Sequence, residues 1–453
     1  LDFSDAVFHR KVSLSSATVE GDLDFTNATF RAGLDCTEVD VTGNLRLDDA
    51  EIEGPATFEQ SEVIGDVTAT DSTFHGITNF DVDQWGALSG FSAPINFTGS
   101  DFFGTVQFGG EFENSLGFEK TTFDDRVEFV GAEVSGDIRF VESSLEDILY
   151  SGGSVDGSVR LHSTNVRDIV FENVNFGKLE YRQATVDGDL SVSDVEIRDK
   201  FDFKKSTVTR QVDILDLNVH GRIYHHRSQF GAPFSWESIS CGNSITVSDV
   251  QFHDNVLIED ISPEGAFELT NSRFDGDVDL TDVLAGRVNL TDSVFQGNFT
   301  ATDTYVEDGP FNLRDSVFEG ECELSGIRTV DRVLGDRSRF LANLTVQASH
   351  ANIGVSMRGS VLTEGIQLED VETPQAGAID IDFALAKINS GRITKSTGSL
   401  YDIDFTAASV GDIYFQSDED EIFNHLIFHN TDFVGFDFSR YRATLSDETW
   451  TLH

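Results

Sequence analysis

The chain has 453 residues, 39% of them hydrophobic, and sets 80 Asp and Glu against 31 Lys and Arg for a formal charge of −49. Phe is as frequent as Gly, at 39 each, which excludes a disordered acidic tail, because such tails lack the apolar content that builds a core. No apolar run reaches the length of about 18 residues that crosses a bilayer as a helix, and no signal peptide is expected.

The acid excess admits two readings. One is a protein of concentrated salt, since at about 1 M the Debye length falls to roughly 3 Å and screens the self-repulsion of such a surface. The other is an acidic mimic of DNA. Cys36, Cys241 and Cys322 lie far apart and show neither zinc nor redox spacing.

Self-similarity governs the chain from its start, so a preceding segment is expected before Leu1. Steps of 11 from Phe25 reach Cys36, Leu47, Phe58, Ala69, Phe80 and Phe91; steps of 11 from Phe30 reach Val41, Ile52, Val63, Phe74 and Trp85. Two residues ahead of these run Leu23, Leu34, Leu45, Ala56 and Val67, and the smaller Ala28, Val39, Ala50, Ser61 and Ser72. The rhythm resumes as Tyr181, Val192, Phe203, Ile214, His225, Trp236, Val247, Ile258, Leu269 and Leu280.

Inward positions spaced 2, 3, 2 and 4 apart would surround a helix on all sides, which excludes one. Pairs two apart fit short strands with both ends pointing in, and the Gly, Asn, Asp and Ser between them supply corners. An 11-residue unit makes only two short sides, so two units of 22 residues should close one four-sided coil. Parallel stacking at roughly 4.8 Å would turn about 20 such coils into a rod on the order of 100 Å long.

Small-x-large units such as ATF, STF, SVF and TDF, alternately five and six residues apart, resemble the pentapeptide-repeat family over most of the chain. The resemblance implies an all-β, right-handed quadrilateral parallel β-helix over 1–438, in a variant with an extra residue in every second unit. With the acidic composition it points to a halophilic archaeal source, where long relatives continue into membrane-associated segments. Cys36 and Cys241 fall on large inward positions and Cys322 on a smaller one, so all three are expected as buried thiols. The register breaks near 86–117, 284–287, 325–343, 373–402 and 416–425, and 439–453 reads as a cap or the start of a removed domain. Within 416–425, SDEDE lacks the spacing of a calcium loop and reads as a solvated acidic loop.

One surface feature rises above this background. Lys178, Lys200 and Arg222 share a column at 22-residue spacing; Arg182, Lys204 and His226 share a second, and Lys205 and Arg227 a third. Like charges stacked at about 4.8 Å repel, so the ladder calls for an anion alongside, unless Asp199, Asp202, Asp213 and Asp216 neutralise it. His225 is the one polar occupant of the large inward column: either a buried histidine satisfied by a backbone carbonyl or, the reading the sequence favours, a bulge that turns Tyr224, His225 and His226 outward. No third ligand stands at a defined spacing, so no metal is expected there.

No nucleophile elbow, phosphate-cradling loop or distinct carboxylate pair appears, so neither catalytic residues nor a cofactor are expected. The expected function is a non-catalytic scaffold or recognition module for a protein or an acidic glycan. It would be the exposed part of a membrane-attached or cell-surface protein in high salt. Sequons at Asn27, Asn96, Asn289, Asn298 and Asn343 are compatible with that placement. The first alternative is a DNA mimic that regulates a DNA-binding enzyme. Against it, residues 201–250 carry 5 acids and 5 bases, and the overall charge disfavours nucleic acid as a partner. The second alternative is a β-helical polysaccharide-active enzyme that uses the basic ladder as its outer strand face. Reducing salt from about 1 M to about 0.01 M, which lengthens screening from roughly 3 Å to roughly 30 Å, should lower the melting temperature. A melting temperature indifferent to salt would remove the high-salt reading.

Overall fold

The computed structural model describes residues 1–80, 90–373, 379–395, 401–417 and 423–441. Two compact units divide it, Leu1–Tyr224 with Ser228–Ala232, and His225–Arg227 with Pro233–His453. Each is a parallel β-solenoid, and the two carry about 18 turns between them. Among the described residues no α-helix occurs; one 3-10 turn spans Phe438–Tyr441.

In the first unit each early strand pairs with the fourth strand after it. Val7–Phe8 lies along Thr29–Phe30, Val12–Ser13 along Leu34–Asp35, Thr18–Val19 along Asp40–Val41, and Leu23–Asp24 along Leu45–Arg46. Four strands per coil and a 22-residue step are the expected four-sided geometry. Further along, strands merge across corners, as where Asn165–Arg182 pairs with Leu190–Lys204 in the first unit and Phe234–Cys241 with Val256–Pro263 in the second.

The inward columns are where the spacing puts them. Phe25, Cys36, Leu47, Phe58, Ala69 and Phe80 are each at most 2% exposed, as are Phe30, Val41, Ile52, Val63 and Phe74. Rings stack along each column at the coil spacing: Phe58 on Phe80 at 4.8 Å in the first unit, and Phe252, Phe274, Phe295, Phe318 and Phe340 at 4.8 to 5.0 Å in the second. The backbone ladder therefore sets the ring spacing. The small column uses hydroxyls: Ser316 Oγ donates to the Leu290 carbonyl at 2.8 Å and accepts from the Ser293 amide at 3.2 Å. Serine replaces alanine there without leaving a buried polar group unmet.

The register departs from the simple step in identifiable places. Val63 pairs with Phe91, 28 residues on, where the usual step is 22. Phe91 thus continues the column of Val41 and Val63, not the Phe25 column; Trp85 lies outside the described residues. The step is 23 for Val294 with Val317 and 26 for Val355 with Ile381. Across 325–343, where an irregular coil is expected, it stays at 22, as in Phe318 with Phe340 and Cys322 with Leu344. Asp418 to Glu421 and 442–453 fall outside the described residues.

One corner residue of each 11-residue unit, in the shorter gap between inward pairs, has a conformational role. Asp5, Ser16, Asn27, Glu38, Asp49, Gln60 and Asp71 follow one another at steps of 11, all with φ between 52° and 59°. Of the thirty described non-glycine residues with positive φ, twelve are Asp and four Asn, the non-glycine residues that tolerate the left-handed region best. Other acids cap the next corner: Asp24 Oδ1 accepts from the Thr26 amide at 2.9 Å and hydroxyl at 2.6 Å. A third set bridges coils, as Asp22 Oδ1 accepts from the Asn44 amide and Asn44 Oδ1 from the Asp66 amide, both at 2.9 Å.

All three cysteines are free and buried, and burial pushes the Cys36 thiol up to about 12. His225 overturns the expected bulge: it is 2% exposed, with its ring edge-on to Trp236 at 5.2 Å. The strand Arg222–His226 keeps strict alternation, which leaves Tyr224 and His226 half-exposed. An imidazole is flat enough to replace a ring in an aromatic column, and a bulge would forfeit the ladder hydrogen bonds of that strand. Phe274→Ala should cost about 3 to 5 kcal/mol, because the rigid coils above and below prevent collapse of the cavity. Urea unfolding measures it, and a loss below about 1 kcal/mol would contradict a column packed to core density.

Candidate functional site

The basic ladder of the first unit is built on two long strands, Asn165–Arg182 and Leu190–Lys204, which pair in parallel. Register sets Lys178 beside Lys200, Glu180 beside Asp202, and Arg182 beside Lys204. Strand alternation sends residues two apart to the same face, so acids at 180 and 202 stand between the cations.

Contacts follow that order. Lys200 Nζ lies 2.6 Å from Glu180 Oε1 and 3.1 Å from Asp202 Oδ2. Lys204 Nζ is 2.9 Å from the same Asp202 oxygen, and Arg222 Nε is 3.7 Å from the other. Glu180 also meets Arg160 Nε at 3.3 Å; Arg160 reaches Asp137 at 3.1 Å, which Arg139 meets at 3.0 Å. Lys178 pairs with Asp199 at 3.2 Å. The outward ring of Tyr224 receives Lys204 Nζ at 4.9 Å and Arg222 Cζ at 5.5 Å from its centre. The face is a chain of alternating charges.

Asp202 is its hub, with a side chain only 4% exposed. Burial disfavours its charge, yet hydrogen bonds from Lys204 and Lys200 outweigh burial and hold the carboxyl below its ordinary 3.8. Glu180 behaves likewise, with Lys200 and Arg160 overcoming burial to keep it below 4.5. Burial of Lys200 works against its charge, but Glu180 and Asp202 raise the ammonium above 10.5. Groups locked in these states hold charge and are poorly placed to move protons near neutrality.

Arg182 and Lys205 are exposed and form no ion pair among the described residues. Lys205 occupies a left-handed corner at φ 53°. His226 and Arg227 belong to the second unit, where their nitrogens lie 3.4 and 3.8 Å from Asp249 Oδ2. Of the acids expected to neutralise the ladder, Asp199 and Asp202 do so. Asp213 instead accepts from Gln211 at 2.7 Å, and Asp216 forms a corner at φ 51°. Glu180, Asp137 and Asp249 escaped the sequence reading, although Glu180 stands 22 residues before Asp202 in the same column. Among the described residues no group of three His, Cys, Asp or Glu could hold a metal ion.

Parallel coils, interior side-chain columns and a self-paired outer face define a β-solenoid repeat protein. Residues 3–51 match the family model for pentapeptide repeats, in nine copies. Proteins of that family are generally non-catalytic. Neither the curated proteins nor the solved structures contain a match to the chain. No helix among the described residues is long and apolar enough to cross a membrane.

Asp202→Asn should destabilise the first unit by about 2 kcal/mol, short of the roughly 3 to 5 typical of a fully buried pair, since its lysine partners stay partly solvated. A carboxyl held below its unfolded pKa contributes stability above that value and loses it as pH falls through the folded one. Wild-type stability should therefore drop below pH 3.8 more steeply than that of Asp202→Asn; parallel acid profiles would show that the hub is energetically silent.

Proposed function

We propose that this chain is a non-catalytic scaffold and recognition module, displayed by a membrane-attached or cell-surface protein in concentrated salt. The observation that carries the reading is the closed charge network around Asp202. It pairs Lys200, Lys204 and Arg222 with the protein's own acids, and its ionised groups serve structure in place of turnover. The partner is a protein or an acidic glycan, and Arg182 and Lys205, outside that network, are the cations that reach it. A DNA mimic would need its carboxylates facing outward, whereas many here are committed to corners and to bridges between coils.

The test is Arg182→Glu with Lys205→Glu, which leaves the Asp202 network intact, assayed at about 1 M salt to hold screening near 3 Å. The double variant is expected to melt with wild type and to lose any retention on acidic polysaccharide columns. A type II topoisomerase should keep its activity beside the wild-type chain. Release of sugar fragments from the polysaccharides would overturn the non-catalytic reading. Topoisomerase inhibition would overturn the scaffold in favour of the mimic.

A further inference from the structure

The second unit carries a groove that the repeat itself does not require. Tyr305, Arg328, His350 and Glu372 are register partners on four successive coils and form one outward column. Val330 and Asn352 stand beside them, each one residue past the end of its strand, and Asp370 also lines the groove. Together with Thr329 and Ser349 beneath, these side chains line a cavity of about 710 Å³.

Its composition is unusual for this surface. Tyr305 is 43% and Val330 42% exposed, and Leu284, the register partner of Tyr305 on the preceding coil, is 43% exposed. An apolar strip therefore runs into a polar end, where His350 Nδ1 and Glu372 Oε2 lie 2.9 Å apart. Arg328 makes no ion pair among the described residues, although two carboxylates line the same groove. An aromatic face next to a guanidinium, an amide, an imidazole and carboxylates is a set that can both stack and exchange hydrogen bonds with one ligand.

Several ligand classes fit poorly. An anion would meet Asp370 and Glu372; a wholly apolar ligand would desolvate four ionisable groups. His350, Asp370 and Glu372 do not form a group able to hold a metal ion. A neutral, polyhydroxylated ligand meets neither penalty. Its C–H faces pack on the tyrosine ring, and its hydroxyls both donate to the carboxylates and accept from Arg328 and Asn352. Coil spacing adds a geometric match: side chains recur at about 4.8 Å along the column, close to the length of one pyranose ring in an extended chain. The cavity volume lies within the roughly 300 to 1,000 Å³ of small-ligand sites.

We infer that this groove binds a neutral linear oligosaccharide, with Tyr305 as the stacking platform and Arg328, Asn352, Asp370 and Glu372 as the hydroxyl-binding groups. The inference rests on reading the chain as a recognition module and names a ligand class for its second unit. The experiment is calorimetric titration of the full chain, in concentrated salt, with hexasaccharides of β-glucan, α-glucan, mannan, xylan and chitin, and with hexagalacturonate as the acidic control. At least one neutral hexasaccharide should bind. Tyr305→Ala should weaken that binding about tenfold, the magnitude of one lost stacking contact, while Tyr305→Phe keeps it within about twofold. Both substitutions are at an exposed position, and unchanged melting would verify the fold. Failure of all five neutral probes, preference for hexagalacturonate, or indifference to Tyr305→Ala would each overturn the groove assignment and leave the scaffold reading standing. Mass spectrometry of the recovered sugar separates the two ideas: cleaved product would remove the non-catalytic reading while leaving the binding site in place.

Discussion

Every other feature of these two units depends on the parallel hydrogen-bond ladder between coils. The ladder fixes successive strands at about 4.8 Å and admits little slip, because a one-residue shift would send the inward side chains out to solvent. A 22-residue step is then self-consistent: an inward residue meets an apolar counterpart above and below, as Val41 meets Val19 and Val63. Where a coil has more residues than the usual step, the columns still re-form, as Phe91 does over Val63. The interior tolerates variation in length far better than variation in phase.

The same constraint changes the meaning of the acidic composition. A charge of −49 invites an explanation from environment or from mimicry. Yet the corners need residues that accept positive φ, and the amides facing each corner need acceptors. Aspartate supplies both at Asp5, Asp49 and Asp71 for the first, and at Asp22 and Asp24 for the second. Part of the acid load is thus architectural, and only the remainder is available to salt or to partners.

Stacking also decides how charge is arranged on the outer face. A solenoid multiplies whatever stands at one position, so an unbroken column of lysines would repel itself. The first unit resolves this by setting the acid column of Glu180 and Asp202 between cation columns, which turns repulsion into a network of pairs. The groove in the second unit follows the opposite logic: Tyr305, Arg328, His350 and Glu372 differ from coil to coil, and heterogeneity in a repeating frame is what gives a surface one particular place to bind.

The sequence by itself determined the strand type, the coil length and nearly every buried position, because a two-residue side-chain period and an 11-residue recurrence allow one phase only. It also exposed the columns of Lys178, Lys200 and Arg222. What it left open was which neighbour each outward side chain would reach. Glu180 meets Lys200 across coils, His225 turns inward beside Trp236, and Tyr305 comes to share a groove with Glu372 across four coils. Those relations are lateral, set by the exact register of each coil, by insertions such as that before Phe91, and by rotamers that periodicity does not encode. Tertiary structure therefore decided the pairings and the groove, since contact between columns depends on distances that a one-dimensional repeat does not contain.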